Sequence, residues 1–70
     1  MSSKISAPID PDKLKAARVR NMLTLRELAA ASGIDHNALW LYETGQRSPT
    51  LRNIRRVAQA LDVEPETLLK

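Results

Sequence analysis

The sequence predicts an all-α fold, a compact bundle of five short helices, on three observations. Nearly every apolar-periodic segment opens on a residue suited to cap a helix. No segment alternates apolar and polar side chains as a strand does. The 70 residues include no Cys and a single His, so regular helix packing has to hold the chain together. A domain of this size buries only about 60% of its unfolded surface and normally adds a disulfide, a metal, a partner subunit or very regular helices. Disulfides are excluded, and His36 alone cannot build a four-ligand zinc site. Regular helices and a second copy of the chain remain, and no cofactor or metal is expected.

Residues 1–8 read as a flexible polar tail and residues 9–70 as the domain. Asp10 caps the first helix, Pro11 fits its first position, and Ile9 faces Leu14 as a hydrophobic staple; the helix runs from about Pro11 to Met22. Thr24 and Glu27 form a capping box for a second helix, about Leu25 to Ser32, which Gly33 ends. Asp35 caps a third helix, Ile34 and Leu39 repeat the staple spacing, and Gly45 closes it. After a polar loop, Thr50 is favoured over Ser48 and Pro49 as the start of helix four. There Leu51, Ile54, Val57, Ala58 and Leu61 recur at helical spacing opposite Arg52, Arg55, Arg56 and Gln59. Pro65 opens a final short helix, with Val63 stapled to Leu68.

Composition sets aside several function classes. Trp40 and Tyr42 are too few aromatics for a base-stacking sheet, and two Gly cannot make a phosphate-cradling loop. With no Cys, and no Ser or acid spaced to activate His36, an enzyme is not expected. No apolar run approaches the roughly 18 residues of a membrane span, and residues 1–8 lack a signal-peptide core, so a cytoplasmic protein without membrane contact is expected. The formal charge of +3 is unevenly placed. From Lys13 to Arg56 there are nine basic and three acidic residues, whereas the segment from Val57 onward is acidic overall. A basic body of this kind suits a polyanionic partner.

Two charges fall on core stripes. In helix one the stripe Leu14, Ala17, Met22 takes in Arg18, and in helix three the stripe Leu39, Tyr42 takes in Glu43. An unpaired buried charge costs several kcal/mol, so two opposite charges facing one small core are expected to pair. An Arg18–Glu43 salt bridge joining helices one and three follows.

Two helices linked by a short turn containing Gly form a helix-turn-helix signature. Arg18, Leu23-Thr24, Glu27-Leu28-Ala29, Gly33-Ile34, Tyr42-Glu43, Gly45, Pro49, Leu61 and Val63 stand in order between Leu14 and Leu68. This run resembles the Cro and phage-repressor (Xre) family, whose fold is the lambda-repressor-like DNA-binding domain. The resemblance implies a sequence-specific regulator, most simply a repressor, that binds a pseudo-palindromic operator in double-stranded DNA as a homodimer. It also implies an interior salt bridge at the positions of Arg18 and Glu43. No small-molecule effector is evident.

Within that resemblance helix three, about residues 36–43, is the recognition helix, and its outward residues His36, Asn37, Trp40 and Leu41 are the candidate base contacts. Asn37 suits a bidentate pair with adenine, and Leu41, one turn on, suits a thymine methyl. Trp40 and Leu41 depart from the small, polar or basic residues that the family usually places there. Trp40 has three open readings: sugar and backbone contact, packing on the domain edge, or a patch for another protein. Candidate phosphate contacts are Thr24, Leu25 and Arg26 at the start of helix two, and Gln46, Arg47, Ser48, Thr50 and Arg52 around the loop into helix four. Leu25 departs from the Gln common in the family, which leaves its main-chain N–H to serve. The family places its dimer contact near the last helix, here Val63, Leu68 and Leu69. The competing reading is a protein-binding adaptor or antitoxin-like partner that uses the Trp40 and Leu41 face.

Overall fold

A computed structural model describes residues 9–70. Within them lie four α-helices, α1 (Pro11–Arg20), α2 (Leu25–Ser32), α3 (His36–Glu43) and α4 (Leu51–Leu61), followed by a single 3-10 turn, Pro65–Leu68. The expected fifth helix is this turn: four residues between Pro65 and the extended Leu69 are too few for an α-helical hydrogen-bond ladder. The expected tail, residues 1–8, lies outside the described residues.

The helix starts follow their caps. Asp10 accepts from the N–H groups of Asp12 and Lys13, and Asp35 from those of Asn37 and Ala38. Thr24 and Glu27 form the full capping box, and Thr50 accepts from Asn53 N–H. The ends are less orthodox. Helix α1 stops at Arg20, two residues short of the expected Met22, because Met22 turns left-handed at φ 59. Its N–H then reaches Val19 O while Leu23 N–H reaches Arg18 O, the paired closure usually built on Gly. Met22 is consequently not on the core stripe and is 88% exposed. Asp62 closes α4 in the same way at φ 57, with Val63 N–H on Ala58 O.

The core is one cluster drawn from every element, including Leu14, Leu28, Leu39, Tyr42, Ile54, Val57 and Leu61. Helix α2 packs on both α3 and α4, while α1 packs on α3 and on the closing turn. That turn brings the chain back to Ile9 and Asp10, just ahead of α1. Ile9 and Leu69 form an antiparallel bridge, Asp10 N–H donates to Leu68 O at 2.9 Å, and Lys13 Nζ donates to Leu69 O at 3.0 Å. Leu68 is thereby 1% exposed. It is a core residue and has no surface to offer a second copy, which removes it from the expected dimer contact.

The turn between α2 and α3 is fixed by three local bonds. Gly33 N–H donates to Ala29 O, Ile34 N–H donates to the buried Ser32 Oγ, and Asp35 caps α3. Gly33 sits at φ +73, and a Cβ added there would meet nothing within 4 Å. The cost of Gly33→Ala is therefore purely that of the left-handed backbone, about 1–2 kcal/mol. We expect its melting temperature to fall by about 4–8 °C per kcal/mol, with the helical spectrum otherwise unchanged.

Candidate nucleic-acid interface

Helix α3 is held from two sides. The Arg18 guanidinium forks onto Glu43, Nε to Oε2 at 2.6 Å and Nη2 to Oε1 at 3.0 Å, and its Nη1 donates to Leu23 O at 2.7 Å. One side chain thus joins α1, the loop before α2 and the end of α3. Arg18 is 13% exposed and Glu43 5%. The hydrogen bond to Glu43 raises the Arg18 pKa above the ordinary arginine value; burial opposes this, and Coulombic attraction to Glu43 adds to it. On the other side, Asn53 Nδ2 donates to the hydroxyl of the buried Tyr42 at 3.1 Å, tying α3 to α4. Sequence spacing gives no sign of this second tie, because the two residues lie on different helices across an irregular loop. Among the described residues every buried side-chain polar atom has a partner.

With its inner face so fixed, α3 turns His36, Asn37 and Trp40 outward. Trp40 is 45% exposed. Leu41 is half-buried, yet it is not among the apolar residues packed against the core. The side chains of His36, Asn37 and Trp40 make no hydrogen bond among the described residues. Thr44 differs: its hydroxyl donates to Trp40 O at 2.9 Å and accepts from Gln46 Nε2 at 2.9 Å. Gln46 is consequently tethered at the end of α3, an ordering that no sequence pattern announces.

The candidate anion contacts divide by what remains free. Thr24 and Thr50 use oxygen lone pairs in capping, which leaves each hydroxyl hydrogen available to donate. Leu25 is half-buried against the core, so only its N–H can serve. Arg26, Arg47, Ser48 and Arg52 are exposed. Arg18–Glu43 is the one ion pair among the described residues, so Arg26, Arg47, Arg52, Arg55 and Arg56 have no carboxylate partner there. Two helix starts with outward N–H groups and unpaired arginines therefore lie on the elements that bracket α3 in sequence. Away from them, Val63 and Leu69 are half-buried, and Val63 forms a common wall of two shallow grooves. Among the described residues no group of His, Asp and Glu is placed to hold a metal ion, and no helix is long and apolar enough to cross a membrane.

A short helix projected from a support of three others, and preceded by one of them across a tight Gly turn, defines the helix-turn-helix class. The helix-turn-helix family model HTH_3 matches residues 14–68, and the chain belongs to this Xre/Cro-like family of DNA-binding transcription regulators. Solved structures agree. The restriction-modification controller protein C.AhdI from Aeromonas hydrophila is 37% identical, with 84% of this chain and 89% of that one covered and a TM-score of 0.82. SinR, the master regulator for biofilm formation, in complex with DNA, is 28% identical over 86% of this chain and 100% of that one, with a TM-score of 0.82. The P22 c2 repressor with a synthetic operator shares the fold at 23% identity, 86% and 91% coverage and a TM-score of 0.80. No curated protein matches the chain by sequence.

Proposed function

We propose that this chain is a sequence-specific transcriptional repressor of the cytoplasm that binds a pseudo-palindromic operator as a homodimer, with α3 in the major groove. The observation that carries the reading is the state of α3. Its inner face is fixed by the Arg18–Glu43 and Tyr42–Asn53 bonds, while the outward side chains of His36, Asn37 and Trp40 have no hydrogen bond among the described residues. Asn37, in the first turn, is the adenine reader, and His36, Trp40 and Leu41 complete the base-facing row. Thr24, Arg26, Gln46, Arg47, Ser48, Thr50, Arg52 and the Leu25 N–H hold phosphates and set the register. Val63 and Leu69 form the contact between copies, spacing two recognition helices about one helical turn, roughly 34 Å, apart on the duplex.

Selection of bound duplexes from a randomised pool, followed by Asn37→Ala, tests this. A bidentate adenine contact supplies about 1–3 kcal/mol of discrimination, so Asn37→Ala should lose roughly 5- to 150-fold on the selected duplex and little on random DNA. Equal loss on both would make Asn37 a backbone contact. The exposed Trp40 also favours a second reading, a protein partner docked on the same face. Under that reading no duplex is enriched, and Trp40 fluorescence is unchanged by DNA.

A further inference from the structure

The outward row of α3 contains no cation. Between His36 and Thr44 the side chains at least partly accessible on that row are His36, Asn37, Trp40, Leu41 and Thr44. The commonest specific contact to guanine is an Arg or Lys on its O6 and N7, and α3 has neither. Thr44 has no hydrogen left to donate to a base, because its hydroxyl donates to the helix's own Trp40 carbonyl, and it also accepts from Gln46. Beyond His36 at the very start of the helix and the Trp40 indole N–H, which can only donate, Asn37 is the side chain left on the row that can both donate to and accept from one base edge, and its amide matches the N6 and N7 of adenine.

Apart from that indole N–H, the rest of the row is apolar. Trp40 is 45% exposed, its indole N–H is without a partner among the described residues, and Leu41 lies on the same face as Asn37, one turn later, outside the core-packed shell. An apolar ledge in the major groove has one apolar base feature to meet, the 5-methyl group of thymine. We propose that α3 reads an A·T core, Asn37 pairing with an adenine and the Trp40–Leu41 ledge covering thymine methyl groups, so that each operator half-site is methyl-dependent at its centre. This rests on the duplex-DNA reading above and names the sequence class that it recognises.

The test uses the duplex enriched from a randomised pool, remade with deoxyuridine in place of thymidine in both half-sites, which removes the methyl groups and keeps every base pair. An A·T centre is expected in the enriched half-sites, with affinity falling about fourfold for each covered methyl removed, the factor equivalent to about 0.8 kcal/mol per buried carbon. Trp40→Ala at an exposed position and Leu41→Ala at a half-buried one, both checked for unaltered helix content, should weaken binding to the thymidine duplex. Together they should abolish the difference between the two duplexes. Enrichment of a G·C centre, equal binding to both duplexes, or undiminished uridine sensitivity in the double variant would overturn this proposal while leaving DNA binding intact. Failure to enrich any duplex would instead overturn the DNA-binding reading, and the proposal with it.

Discussion

Arg18→Ala should lower the stability of the fold by about 3–5 kcal/mol, a large part of the total for a domain of this length. Breaking a buried ion pair by removing one partner costs about 3–5 kcal/mol, because the other charge stays behind without compensation. Here the abandoned group is Glu43, 5% exposed, and the Leu23 carbonyl loses its donor as well. Total stability for a domain of this length is about 0.05–0.15 kcal/mol per residue, so the loss takes from about a third of it to all of it. Urea unfolding followed by helical signal measures this directly. Arg18→Lys keeps the charge but not the fork, and its midpoint should fall between those of wild type and Arg18→Ala. Replacing both partners with Leu should recover much of the stability, since no charge is then stranded. A double variant as unstable as the single one would place the cost in poorer packing. The pair is insensitive to moderate pH on its arginine side. The folded pKa is raised, so the stabilisation is fully present below the ordinary arginine value and is lost only above the raised one.

Binding to an operator duplex should fall about a thousandfold or more between 50 and 200 mM salt. Each phosphate neutralised contributes about 0.9 to the slope of log affinity on log salt, and six or more phosphates neutralised across two copies suffice for that loss. The basis is the set of arginines without carboxylate partners, Arg26, Arg47 and Arg52, at the starts of α2 and α4 and in the loop between α3 and α4. A cation already paired within the protein would release fewer counterions on binding. Titrations at four or five salt concentrations give the slope, and removing Arg47 or Arg52 should lower it by about one unit for each phosphate left without its cation. A flat response would remove nucleic acid as the partner and leave the exposed Trp40 face to a protein.

Much of this fold is legible in the sequence because it is specified locally. Asp10, Thr24, Asp35 and Thr50 each act on N–H groups two or three residues away, so a cap seen in the sequence is a cap in the structure. The Arg18–Glu43 pair is readable for a different reason: a charge on a core stripe has few ways to be satisfied. What escapes is conformation without a signature. Met22 and Asp62 take the left-handed position that Gly normally announces, and the apolar stripe therefore carries α1 two residues too far. Leu68 looks available for a partner until the chain's return beneath Ile9 covers it, and that return is a long-range pairing that no local spacing encodes. Among the candidate site residues, exposure on α3 follows from helical period, but the tethering of Thr44 and Gln46 and the Tyr42–Asn53 bond depend on the angle between elements.

The meeting of Ile9 with Leu69 gives the domain the topology of a nearly closed ring. The two ends of the described segment lie side by side and are clasped by the Ile9–Leu69 bridge and two bonds, Asp10 N–H to Leu68 O and Lys13 Nζ to Leu69 O. Tension applied through both ends would load those few bonds first and peel the closing turn away before it strained the helices. By the same geometry, a short peptide joining the ends would span almost no distance. The helix order could then be permuted by opening the chain elsewhere, for example in the loop after α3, with the core left intact.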